Sequence, residues 1–126
     1  MTKFVYLCGE MEGFGKPGEI PTVRNNRMDL KHSPHSTHPA DDPNGIGHID
    51  TVEHGDEDAE RQAALWASRG LTLEQAIQKQ TGWTPETGDV EGNNTQRYLQ
   101  FVSKGLGMAP STLMTEVLLV DMPQAT

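Results

Sequence analysis

The apolar positions of this chain fall into dense clusters near its two ends and periodic stretches between them. Lys3–Cys8 (KFVYLC) is aromatic and β-branched, lacks polar alternation and is closed by Gly9. Such a run predicts a strand buried on both faces. Leu113–Met122 (LMTEVLLVDM) predicts a second, apolar at every position from Val117 to Val120. Ile20–Val23 predicts a short edge strand, because Pro21 lacks the N–H that a central position requires. Ile46–Val52 alternates in part and predicts another.

Helical spacing governs the middle. From Gly55-Asp56 to Arg69-Gly70, the residues Ala59, Ala63, Trp66 and Ala67 share one stripe. Asp56, Glu57, Asp58 and Glu60 set negative charge at the positive end of that helix. Thr72-Leu73-Glu74-Gln75 has the form of a capping box, opening a second helix that runs to about Thr81 and stops at Gly82. A third starts near Asn94 or Thr95, carries Tyr98, Leu99, Phe101 and Val102, and stops at Lys104-Gly105. Together these predict an α+β fold: a small sheet pairing the N- and C-terminal strands, about three helices on one face, and a long irregular insertion over 9–55. Strands and helices do not alternate, which argues against a doubly wound sheet. No repeat or linker divides the chain, so 1–126 reads as a single domain.

Composition bears on the insertion. Only 34% of the chain is hydrophobic, against 13 Gly and 8 Pro. Residues 9–55 hold so many turn-formers and so few apolar side chains that their backbone groups are expected to find partners in water or on another chain. The net charge of −8 is concentrated after residue 40. That balance argues against direct binding to nucleic-acid backbones, which requires clustered Lys and Arg, and suits docking on a basic surface. Cys8 is the one cysteine, so no internal disulfide framework exists. Neither a secretory leader nor an apolar run of membrane-spanning length is visible, which predicts a protein made in the cytoplasm and free of membranes.

The densest chemistry lies in Lys31–Asp58, which holds all five histidines. His32, His35 and His38 recur every third residue between Pro34 and Pro39. On a polyproline ribbon they line one edge about 9 Å apart per step, too far to share an ion with bonds near ~2 Å unless the chain bends. With His48, Asp50 and His54 they form a ligand pool for zinc or another divalent metal. His35-Ser36-Thr37 is an H-x-T triplet, but two-histidine phosphodiesterases use two such triplets and only one is present. Gly13-Phe14-Gly15-Lys16-Pro17-Gly18 has the G-x-G-x-x-G spacing, but Glu19-Ile20-Pro21 does not continue as the helix a pyrophosphate needs, and a glycine-rich turn is the better description. Cys8 is a candidate nucleophile only if it faces a cleft with a base beside it. Trp83, stranded in the Trp83–Asn93 loop, is a candidate interface anchor. Asp41 and Asp42 begin an acidic strip suited to a basic partner.

These features predict a non-enzymatic interaction or assembly protein, either a virion accessory such as a capsid cement or tail component, or an inhibitor of a host protein, with its extended segments covered by a protein partner or by self-assembly. No cofactor is expected in that case. The alternative is a divalent-metal-binding protein or small metal-dependent hydrolase built on residues 32–54. A third possibility is an acidic mimic, or a nucleotide-binding pocket formed by Arg24, Arg27 and Lys31.

Overall fold

Residues 1–123 are described by a computed structural model. Among the described residues six helices follow one another: α1 Lys3–Glu12, α2 Ile20–Val23, α3 Val52–Ser68, α4 Leu73–Thr81, α5 Thr95–Leu106 and α6 Met114–Val117. Strand pairing among the described residues is confined to isolated bridges, so the expected α+β fold with a terminal sheet is incorrect and the architecture is helical.

The N-terminal apolar run illustrates why. Thr2 caps α1 by accepting a hydrogen bond from the Val5 N–H at 3.3 Å, and Gly13 ends the helix in the left-handed region at φ 89°. Phe4, Leu7 and Cys8 are buried, with Met11 packed against the same core. Their spacing of three, one and three residues is a helical stripe, whereas a strand would have divided them between two faces. The predicted strand at Leu113–Met122 is likewise replaced, by the single turn of α6 and a bridge between Asp121 and Thr2. The backbone there closes a seam between the two ends: Lys3 N–H donates to the Val120 carbonyl and Met122 N–H to the Met1 carbonyl, both at 2.9 Å. Ile20–Val23 is a helical turn, with Pro21 in the first turn where its missing N–H has no intrahelical partner to lose. Over Ile46–Val52 only His48 forms a bridge, with Thr37, Asp50 is a bend, and Val52 already belongs to α3.

The three central helices lie where periodicity places them. Thr72 and Gln75 complete both halves of the capping box of α4. Asn94 caps α5 through the Arg97 N–H at 3.0 Å. Helix α3 begins three residues earlier than Gly55, because the Thr51 hydroxyl accepts the His54 N–H at 3.1 Å.

The core forms where α1 and α4 pack on α5, and α3 on α6. Phe4 meets Trp66 of α3 edge-on, with centroids 6.4 Å apart, a favoured aromatic arrangement. Leu73 and Ile77 of α4, Leu99 and Val102 of α5, and Met114 and Val117 of α6 complete the interior. Each such side chain contributes roughly 1.5–3 kcal/mol by leaving water.

Residues 13–51 lie across this body as an arm. Met28 and Ile49 are buried, which supplies part of its anchoring. Most of the rest comes from polar side chains bound to backbone. Asn26 is 1% exposed; its amide donates to the Leu30 and Gly47 carbonyls at 2.8 and 2.9 Å and accepts the Leu30 N–H at 2.9 Å. Asn25 donates to the Ile49 carbonyl at 3.0 Å and Arg24 to the Ile46 carbonyl at 2.8 Å. The arm thus satisfies much of its backbone without an apolar cluster of its own. It rests on α3 at Gly55, where a Cβ would overlap the Asn25 carbonyl.

Candidate functional site

The first turns of α3 project His54, Glu57 and Asp58 toward the arm, because residues three and four apart share a helical face, and Asp50 stands just before the Thr51 cap. Asp58 is the hub. Its side chain is only 2% exposed, and it accepts three hydrogen bonds from the arm: the Ser33 hydroxyl at 2.5 Å, the His35 N–H at 2.9 Å and His35 Nδ1 at 2.7 Å. Burial pushes this carboxyl upward, but the Ser33 and His35 donors outweigh burial and hold it below the usual carboxylate range.

His54 is oriented in the same way by a different carboxylate. Its Nδ1 lies 2.7 Å from Asp50 Oδ1, one helical turn away. That contact raises the imidazole above its ordinary range and lowers Asp50. The rings of His35 and His54 stack, with centroids 4.0 Å apart and planes 8° from parallel. One nitrogen from each, together with a Glu57 carboxylate oxygen, lies within 4.8 Å of the others. A pocket of about 360 Å³ borders this cluster, lined by His35, Thr37, His48, Ile49 and Asp50.

Of the predicted ligand pool, His35, Asp50 and His54 therefore meet. His48 stands at the pocket edge, with its backbone paired to Thr37. His32 and His38 form a separate pair, with ring centroids 4.8 Å apart. His38 Nε2 is already engaged with the carbonyls of Lys31 and Gly45, at 2.6 and 3.1 Å. Glu57 and Asp58 were not in the pool. The signal for them is helical: Asp50 and His54 are spaced i, i+4, and His54 and Glu57 i, i+3, on a helix that begins earlier than the acidic run suggests.

The other candidates fall elsewhere. Arg27 pairs with Asp56 at 2.8 Å and lies 4.1 Å over the Phe14 ring, and Arg24 is bound to the Ile46 carbonyl; both hold the arm in place. Asp41 and Asp42 are exposed, and Trp83 is half-buried at the end of α4. Cys8 is fully buried, so burial pushes its thiol far above the ordinary range and it faces no cleft. The glycine spacing at 13–18 is a turn, with Gly13, Gly15 and Gly18 all at positive φ. No described helix is long and apolar enough to cross a membrane. No family model, curated protein or solved structure matches this chain, which leaves the expectation of a virion component without support.

Proposed function

We infer that this protein binds a divalent transition-metal cation of the zinc class through His35, His54 and Glu57. The supporting observation is the pair of carboxylate–imidazole contacts. Asp58 and Asp50 each engage an Nδ1, which fixes the tautomer and leaves Nε2 as the donor, the usual arrangement behind a metal-bound histidine. Two imidazoles and one carboxylate suit zinc, cobalt or nickel better than calcium or magnesium, which prefer oxygen.

In the stacked arrangement the in-plane lone pairs run side by side, so capture of an ion requires one ring to turn. His54 is the ring able to do so, because Asp50 alone orients it and both are exposed to water, whereas His35 is fixed at its backbone and ring by buried Asp58. Three protein donors leave a coordination position open, so the bound ion would supply Lewis-acid activation of water beside the bordering pocket. A hydrolytic activity is the further step this permits.

The test is metal retention. Purified protein loaded with zinc and dialysed is expected to keep one ion per chain. His54→Ala and Glu57→Ala should lose it, while a His32→Ala/His38→Ala variant should keep it. Failure to retain zinc, cobalt or nickel, or equal retention by all variants, refutes the assignment.

A second reading, a self-assembling or partner-binding protein, is favoured by exposed apolar side chains, notably Leu119 at 80% and Val23 at 67% exposure. Light scattering separates the two: a metal-loaded monomer supports the first, and a metal-free oligomer the second.

A further inference from the structure

A second cleft, of about 540 Å³, opens between the end of α1, the arm at residues 28–32, and the end of α4. It shares none of the metal-site residues. Two carboxyl groups, Glu12 and Asp29, lie in it within hydrogen-bonding reach of each other. Gln80 fixes Glu12 from one side, its amide donating to Glu12 Oε2 at 3.2 Å and to the Met28 carbonyl at 2.6 Å. Asp29 is held at φ 53°, a left-handed conformation uncommon outside glycine, which sets its side chain beside Glu12.

Asp29 Oδ1 is buried, with no donor from the protein. A buried acceptor without a donor is costly. A proton held between the two carboxyls would relieve it. Consistent with that, burial and then the Glu12 charge push Asp29 up to about 7, and burial raises Glu12 as well. With that proton in place the pair would carry a single negative charge. The same cleft presents Lys31 and Lys79, and an apolar wall that includes Trp66. An ammonium group matches the two carboxyls, a carboxylate matches the lysines, and an apolar side chain matches the indole.

We propose that this cleft binds a small zwitterion of the amino-acid type, with its ammonium group on Glu12 and Asp29 and its carboxylate toward Lys31 and Lys79. This inference is independent of the metal site.

Calorimetric titration of the unaltered protein with L-leucine and L-phenylalanine tests it, alongside 4-methylpentanoate, which is leucine without the amine, and isoamylamine, which is leucine without the carboxylate. At least one amino acid is expected to bind. Its deletion analogues should bind about tenfold more weakly or worse, the scale of losing a hydrogen bond to a charged group. Asp29→Asn, near-isosteric and compatible with positive φ, should abolish the preference for the amine while leaving the circular dichroism spectrum unchanged; Glu12→Gln provides a second variant. No binding by either amino acid overturns the proposal, as does 4-methylpentanoate binding as well as leucine, or an amine preference that survives in both variants.

Discussion

Replacing Gly55 with alanine tests whether the arm is held by its own body. In an ordinary helix interior this change stabilises, by roughly 0.5–1 kcal/mol. Here the added methyl overlaps the Asn25 carbonyl, a backbone atom that cannot swing aside as a side-chain tip does. Overpacking alone costs about 1–3 kcal/mol. If the arm lifts instead, the Arg27–Asp56 pair to α3 and the burial of Met28 in the core are lost with it. Burial of one such side chain is worth about 1.5–3 kcal/mol. The net expectation is destabilisation of about 2–4 kcal/mol, or roughly 6–15 °C in Tm for a chain of this size. Thermal unfolding followed by circular dichroism measures it. Gly105→Ala is the comparison: the nearest atoms to its methyl are Leu7 side-chain atoms, both Cδ at 2.8 Å and Cγ at 3.4 Å, which can change rotamer, so its Tm should fall much less. An unchanged or raised Tm for Gly55→Ala would show that the arm does not rest on α3 as described. Because the arm carries His35, Gly55→Ala should also weaken zinc retention.

Three further outcomes follow from the same geometry. Asp58→Ala removes the buried acceptor of three hydrogen bonds and should cost about 2–4 kcal/mol in urea unfolding, with protease cleavage appearing first near Ser33. Asp29 has a folded pKa of about 7 against an ordinary 3.8, so between those values the folded state holds more protons. Its contribution to stability is therefore complete below pH 3.8, declines as pH rises, and is gone above pH 7. The unscreened shift is reduced by solvent at this half-exposed group, so Asp29→Asn should stabilise the protein by about 1–2 kcal/mol at pH 8 and not at pH 4, as read from urea midpoints. Cys8 should resist iodoacetamide in the native state and react only on unfolding; fast native labelling would contradict its burial under α5.

Local chemistry was legible where its cause was local. The Thr72–Gln75 box marks the start of α4 because both hydrogen bonds lie within four residues. The run FVYLC was ambiguous, since a short apolar stretch satisfies either period; what decided it was the Thr2 cap together with a core that Phe4, Leu7 and Cys8 enter from one side. The arm appeared unable to hold itself because apolar counts ignore Asn25, Asn26 and Arg24, whose side chains replace missing backbone partners. His35 and His54 could be named as candidate metal donors, but not paired. Their meeting depends on where α3 begins, which Thr51 sets and the acidic run at 56–58 obscured.

The seam between Thr2 and Asp121 has a kinetic consequence. Joining those residues encloses almost the entire chain, and the entropy lost on ring closure grows with the length enclosed. Such a contact gains little until the helices between have already brought its two sides together. It should therefore form late in folding, and the Lys3 and Met122 amides should exchange their hydrogens together, ahead of the buried amides of α4.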